Sequence, residues 1–434
     1  MGGHQVRRAV LITATEPEPR RYGKQVVLGG ILDHLVSRLG PENVHLVLLG
    51  DPALDRPAVP YRQHVVGKPG TVGQALSVLK GVVLPPRGAG YRRPLQEAAL
   101  NSAAVGEAVR GALRSIDADL EIWDTVRTGQ YAPSTPRRTS PPVRRLLYAD
   151  DLFSERYAAM LADTDSGNPG GEFQKLLPGP ARKVLADPRV YRPLLRLERD
   201  LVAASEERQP AWFDATYLIS DEETGRLRRR VQNQHPRPVV DTLPPMLKDR
   251  GRLRRAPQFD PPEFSFIGGF DYAPNLDGLD WFLTHARAAV DAAVPGAVIN
   301  VIGAGTDAGL PSGAAWGGRV RFLGWVDDLD AVLGRSAGLL SPLRSGSGVK
   351  IKVLEALARG LPVVATPSGV QGIAASEETG CLLGTTPAEL AAGMARLADP
   401  ATNDQLSKAA RQAWDERYAP PVVQRRYDEI FGTS

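Results

Sequence analysis

The chain is poor in the residues that build covalent or metal-held scaffolds. Its 434 residues include one cysteine, Cys381, and six histidines. A lone cysteine excludes an intrachain disulfide framework and a cysteine-based zinc site. The histidines are scattered without ligand spacing, so no metal and no cofactor is expected. Long hydrophobic runs are also missing. None approaches the roughly 20 residues that span a bilayer. The N-terminus lacks the apolar region of a signal peptide, and Val10-Leu11-Ile12 reads as a first strand instead. The expected location is the cytoplasm. A strong charge of one sign is absent as well, since the formal net charge is only +4.

What is present is material for two cores, with 42% hydrophobic and 24% charged residues over this length. Arginine is clustered: Arg226, Arg228, Arg229 and Arg230 lie together, as do Arg250, Arg252, Arg254 and Arg255. Arg92-Arg93, Arg137-Arg138 and Arg144-Arg145 are pairs. Such clusters suit an anionic acceptor or peripheral contact with the inner face of a membrane, while a solvated arginine-rich surface is the plainer reading. No nucleic-acid motif or aromatic stacking series accompanies them, so nucleic acid is not an expected partner.

The pattern along the chain alternates strands and helices, which predicts parallel sheets wrapped by helices, an α/β fold. In the first half the strand candidates are Ala9 to Thr13, Val44 to Leu49, Leu120 to Trp123, Arg145 to Tyr148 and Ala215 to Ser220. Lys24 to Leu39 has helical periodicity and ends at Gly40-Pro41. Leu152 to Gln209 is helical and irregular, with a polar, Gly-rich loop at Asp163 to Gly171. Residues 232 to 262, rich in Pro, Arg and Asp, read as a linker. A second series follows, with strands at Phe264 to Ile267, Val298 to Ile302, Val320 to Leu323, Ala337 to Leu340, Val363 to Ala365 and Cys381 to Leu383. Helices are expected at Gly278 to Val294, Pro387 to Leu397 and Ala419 to Phe431.

The most informative stretch runs from Leu340 to Gly372. An apolar strand ends at Ser341-Pro342, and a loop, Ser345-Gly346-Ser347-Gly348, feeds a helix expected from Val349 to Arg359. A Gly-rich loop opening a helix presents backbone N–H groups and partial positive charge, which suits a phosphate. Lys350 and Lys352 fall near the first turn, where cations oppose the macrodipole unless an anion is close. Glu355 lies on nearly the same face as Lys352. From residue chemistry alone, a diphosphate-and-sugar site and an exposed amphipathic helix with solvated lysines stand level.

This block resembles the nucleotide-sugar site of retaining GT-B glycosyltransferases, glycosyltransferase family 4 (group 1). The residues that carry the likeness are Glu355-Ala356-Leu357-Ala358-Arg359-Gly360-Leu361-Pro362-Val363-Val364-Ala365-Thr366. The family's first glutamate is replaced by Ser347. The run Ser347 to Glu355, SGVKIKVLE, is similar to a branch associated with exopolysaccharide synthesis. Phe266 to Phe282 resembles the same branch and lacks the Arg and Lys with which many relatives hold the diphosphate. Phe322-Leu323-Gly324-Trp325-Val326-Asp327-Asp328 resembles the element that abuts the nucleobase, leaving Trp325 and Val326 open between base contact and core. Tyr148 to Tyr157, YADDLFSERY, resembles an Asp-x-Asp-Asp-Leu-x-Ser-x-Arg-Tyr element.

The resemblance implies GT-B architecture, two Rossmann-like domains facing an interdomain cleft. The expected division is residues 1–240 as acceptor-side domain, 241–262 as linker, 263–417 as nucleotide-sugar-binding domain and 418–434 as a helix returning to the first domain. It implies a nucleoside-diphosphate sugar as donor substrate and a glycan, lipid-linked glycan or small natural-product acceptor, with sugar transfer retaining configuration and needing no metal. Lys350 and Lys352 would stabilise the leaving diphosphate. Gly23, Lys24, Gly269, Gly303, Trp325, Val326, Ser347, Gly348, Val349 and Glu355 would line the donor. Gly303 also reads as a purely steric turn glycine, and Lys24 as a solvated lysine. Asp150 is expected to act on sugar hydroxyls or an acceptor proton. Asp124 and Asp151 are further acceptor-side candidates, Asp151 alternatively as a helix N-cap. The alternative function is a nucleotide-sugar-binding pseudoenzyme or partner subunit.

Overall fold

The computed structural model describes residues 5–20, 22–70, 74, 91–134, 143–162, 188–249, 251–346 and 348–433. These divide into two compact units. One runs to Leu161, resumes through Leu247 and takes the chain from Val423 onward; the other holds Lys248–Val422.

The first unit is built on seven parallel strands: β1 Ala9–Thr13, β2 Val44–Gly50, β3 Arg62–Gly67, β4 Leu120–Asp124, β5 Arg144–Asp150, β6 Ala215–Leu218 and β7 Val240–Thr242. Their spatial order is β3-β2-β1-β4-β5-β6-β7. Strands β1, β2 and β4 are buried along their whole length, as strands covered on both faces must be. Val10, Ile12, Val47, Leu49, Trp123 and Leu147 form part of one core. The helix Pro420–Phe431 buries Tyr427 and Phe431, and the Tyr427 hydroxyl donates to the Pro244 carbonyl at 2.9 Å.

The second unit carries six parallel strands: β8 Glu263–Ile267, β9 Val298–Ile302, β10 Val320–Gly324, β11 Gly338–Ser341, β12 Val363–Ala365 and β13 Cys381–Leu383. Their order is β10-β9-β8-β11-β12-β13. Phe264, Phe266, Leu279, Phe282, Trp316 and Met394 are among its core residues.

Both sheets are doubly wound, so each has a place where the strand order reverses: between β1 and β4 in one, between β8 and β11 in the other. The chain leaves the carboxyl ends of those strands in opposite directions, opening a crevice where ligands of open α/β sheets bind. The candidate residues therefore have to be sought after Thr13 and Asp124, and after Ile267 and Ser341.

Several expectations shift. The stretch read as linker holds β7, whose pairing with β6 runs from Thr216↔Val240 to Leu218↔Thr242. The helix expected at Gly278 to Val294 is two, Ala273–His285 and Arg287–Ala293. Pro274 stands in the first turn, where its missing N–H costs nothing. The loop Asp163 to Gly171 lies outside the described residues.

Candidate functional site

At the switch point of the second sheet, β11 ends at Ser341 and the chain enters the loop that precedes the helix Ile351–Ala358. The loop is held in place by the threonine that closes the PVVAT run. Thr366 Oγ1 donates to the Leu343 carbonyl and accepts from the Gly369 N–H at 3.0 Å. The helix Ala273–His285 crosses close by, because Gly278 has no side chain. A Cβ there would stand 2.8 Å from the Pro342 carbonyl oxygen and 2.9 Å from Leu343 Cα.

The helix begins two residues later than expected. Lys350 is its N-cap residue, and Lys352 alone of the two lysines lies in the first turn. Neither ammonium trails into solvent. Lys350 is buried and donates to the Gly348 carbonyl at 3.1 Å. Lys352 donates to Asn275 Oδ1 at 2.8 Å and lies 4.8 Å from the centre of the Phe266 ring. Asn275 Nδ2 in turn donates to the Gly269 carbonyl at 3.0 Å, which ties the loop after β8 to the lysine. Burial first, then the neighbouring Lys350, push the Lys352 pKa down to about 7. Among the described residues no carboxylate lies within ion-pair distance of Lys352. A cation so placed, against the macrodipole and with no ion-pair partner among the described residues, can accept an anion.

Around this centre, Gly348 adopts φ 70, which an L side chain rarely tolerates. Val349 and Glu355 are half-buried. Gly303 is required by sterics: a Cβ would lie 2.6 Å from the Gly268 carbonyl carbon, and its own N–H bonds the Gly324 carbonyl at 2.9 Å. Trp325 is 76% exposed, so of its two readings the core is excluded; Val326 is half-buried. Ser347 lies outside the described residues. Asn275 falls inside the Phe266 to Phe282 pattern, where the sequence gives it no role. Only the fold brings it to a lysine 77 positions away.

The first unit carries a second cluster at its own switch point. Asp124 ends β4 and is fully buried; Asp150 ends β5. Between them sits the ammonium of Lys24, from the first turn of the helix Gly23–Leu39, 2.5 Å from Asp124 Oδ1 and 2.9 Å from Asp150 Oδ2. Thr13 Oγ1 donates to the other oxygen of Asp124 at 2.7 Å, and the Tyr148 hydroxyl donates to Asp150 Oδ1 at 2.9 Å. Lys24 is thus not a solvated lysine. Its one positive charge is shared between two carboxylates of its own unit. Burial would strip its proton, but Asp124 and then Asp150 outweigh that and hold its pKa above the ordinary lysine value. Burial pushes the Asp150 carboxyl up, with Lys24 opposing.

The backbone is strained at this place. Asp150 has φ 69 and Thr125, next to Asp124, has φ 64. Left-handed backbone in a β-branched threonine is an outlier of the kind that clusters at functional sites. The register between β5 and β6 also shifts between Tyr148 and Asp150. Asp151 is buried and pairs with Arg156 at 2.9 Å. The helix it was expected to cap starts at Phe153, and the Ser154 N–H bonds Glu206 Oε1 at 3.1 Å. Gly23 opens the helix that carries Lys24.

Among the described residues, no group of three His, Cys, Asp or Glu could hold a metal ion, and no helix is long and apolar enough to cross a membrane. The arginine run after Thr224 is largely matched by carboxylates: Arg226 with Glu155 and Glu222, Arg228 with Asp241, Arg230 with Glu206 and Glu207.

Residues 261–399 match the family model described as glycosyl transferases group 1. No curated protein sequence matches the chain significantly. Solved structures are similar over nearly the whole length. Sucrose-phosphate synthase from Thermosynechococcus elongatus has a TM-score of 0.64 at 17% identity, covering 99% of this chain and 100% of that one. WaaG, a glycosyltransferase involved in lipopolysaccharide biosynthesis, has a TM-score of 0.59 at 15% identity, covering 98% and 100%. Anabaena HepE, in complex with UDP, has a TM-score of 0.60 at 11% identity, covering 99% and 100%. The chain therefore has the α/β fold of GT-B glycosyltransferases, and residues 261–399 of its second unit resemble a group 1 glycosyltransferase domain.

Proposed function

We propose that the protein is a retaining glycosyltransferase that moves a sugar from a nucleoside diphosphate to a glycan, a lipid-linked glycan or a small natural-product acceptor, without a metal. The observation that carries this reading is Lys352. Its ammonium is oriented by Asn275 at a helix N-terminus on the switch point, and among the described residues no carboxylate lies within ion-pair distance of it. In the reaction the bond between the anomeric carbon and the diphosphate oxygen breaks. The acceptor oxygen bonds to the same face of that carbon, and the acceptor proton passes to the leaving phosphate. Charge on the diphosphate grows along this path, so Lys350, Lys352 and the backbone at Gly348 and Val349 stabilise the transition state more than the ground state.

Glu355 takes the ribose hydroxyls in this reading. Gly269 and Gly303 admit the donor to the loops after β8 and β9, and Trp325 and Val326 flank the base. Ser347 stands where relatives carry a glutamate against the sugar. In the first unit, Asp150, with Asp124 and Lys24 behind it, receives hydroxyls of the acceptor. The complex of Anabaena HepE with UDP supports a nucleoside diphosphate as the ligand class. Titrating UDP, GDP and ADP by calorimetry, followed by proton NMR of products from the matching nucleotide sugars with an acceptor extract, tests the proposal. An α-linked product from an α-linked donor is expected. A β-linked product rejects retention, and binding without turnover selects the pseudoenzyme instead.

A further inference from the structure

The first unit has a cavity of about 350 Å³ lined by Tyr91, Arg93, Gln130, Ala132, Ser134, Arg208 and Trp212. Its size falls in the range of small-molecule sites. Two guanidinium groups face one aromatic ring there: Arg208 Cζ lies 3.7 Å and Arg93 Cζ 4.8 Å from the centre of Tyr91. Trp212 adds a second aromatic surface, its ring 6.4 Å from that of Tyr91 and tilted by 54°.

Arg93 and Arg208 stand outside the ion pairs that hold many of the described arginines. Neither has a carboxylate within ion-pair distance among the described residues, and Arg93 Nε and Arg208 Nη1 are buried without a hydrogen-bond partner. One buried acid, Glu97, feels both guanidinium groups, which oppose the rise that burial gives its pKa, but it forms an ion pair with neither. Its Oε1 accepts from Ser205 Oγ and, at 3.3 Å, from Gln209 Nε2. Gln130 is used up: its amide donates to the Glu97 and Arg127 carbonyls, and its oxygen accepts from Asn101. Glu97 Oε2 and Gln209 Oε1 are also buried without a hydrogen-bond partner, yet one carboxylate beside two guanidinium groups leaves the wall net positive. Buried guanidinium N–H groups without acceptors are costly, and the planar fork matches a carboxylate or phosphate.

We propose that this cavity binds a sugar-sized ligand bearing an oxyanion, a carboxylate or a phosphate, with Arg93 and Arg208 on the anion and Tyr91 and Trp212 against the ring. It is built from first-unit residues and does not rest on the function proposed above. Aromatic faces accept the apolar side of a sugar ring, and the guanidinium forks fix its orientation through charge-assisted hydrogen bonds.

The test is calorimetric titration of the full-length protein at fixed ionic strength with glucose 6-phosphate, glucuronate and glucose, alongside Arg93→Met, Arg208→Met and Lys352→Ala. Saturable binding of at least one anionic sugar is expected below about 10 mM; which of the two binds more tightly names the oxyanion. Each arginine variant should weaken it at least tenfold, and Lys352→Ala should leave it unchanged. Thermal melts check folding. If Arg208→Met fails to fold, because its guanidinium stacks on Tyr91, Arg93→Met decides alone. No saturable binding, equal binding of uncharged glucose, or binding lost in Lys352→Ala but intact in Arg93→Met would each overturn the proposal.

Discussion

Replacing Lys24 with methionine isolates the electrostatics of the first-unit cluster. Methionine keeps the length and apolar stem and removes the one positive charge that lies between Asp124 and Asp150. Two carboxylates then stand close together, one of them fully buried, with Thr13 and Tyr148 as their remaining donors among the described residues. Breaking a fully buried pair by removing one partner costs about 3–5 kcal/mol. The side chains of Lys24 and Asp150 are each 19% exposed, and solvent screens part of that, so we expect a loss of about 2–3 kcal/mol at neutral pH.

The sign with pH is also fixed. Two close carboxylates share a proton, which lifts one pKa above the ordinary aspartate value. The folded variant then holds more protons than the unfolded chain between those two values, and its stability falls as pH rises through that window. The deficit should be larger at about pH 7.5 than at about pH 5. In the wild type, by contrast, the raised Lys24 pKa contributes stability that is complete below the ordinary lysine value and lost only above it. The assay is urea denaturation at the two pH values, followed through amide exchange in β4 and β5. Adding Asp150→Asn to the variant should restore much of the loss. A change under about 0.5 kcal/mol, equal at both pH values, would refute the reasoning.

Asn275→Ala should free the Lys352 ammonium and the Gly269 loop, lowering kcat/KM about tenfold, the worth of one charged hydrogen bond; an unchanged value in steady-state kinetics would count against the tether. Glu355→Gln should weaken nucleoside-diphosphate binding by about 1–3 kcal/mol in calorimetry with little effect on the melting temperature. Because the Lys352 pKa is held down to about 7, a bound diphosphate should raise it and take up a proton. Affinity should then fall as pH rises above 7, by up to about tenfold per unit, and calorimetry in buffers of different ionisation heat should show the uptake. Activity should survive exhaustive EDTA treatment; loss that magnesium or manganese restores would contradict the metal-free reading.

Much of the fold is legible in the sequence where strands are buried on both faces. Ala9–Thr13, Val44–Gly50 and Val298–Ile302 are unbroken apolar or nearly apolar runs that only a covered parallel sheet explains. Arg62–Gly67 escapes because it lies at the sheet edge, mostly exposed or half-exposed, so its residues are polar. Val240–Thr242 escapes because three residues amid prolines and arginines carry no pattern; its pairing with β6 is tertiary. The second-unit lysines are legible because loop, helix and lysines are contiguous. The Lys24 bridge is not, since its partners are brought together from three strand-and-helix units far apart in the chain. Asn275 is hidden for the same reason: only Gly278, by letting its helix press against Leu343, brings it to Lys352.

The central claim is that the lysines at the helix Ile351–Ala358 carry the leaving-group chemistry. The most direct measurement is the steady-state release of nucleoside diphosphate from the best donor by purified, folded wild type, Lys350→Ala, Lys352→Ala and the double variant. The account predicts that each single change lowers kcat more than it raises the donor KM. It also predicts that the double variant loses less than the product of the single losses, since both act on one diphosphate. Wild-type kcat in both single variants would contradict it.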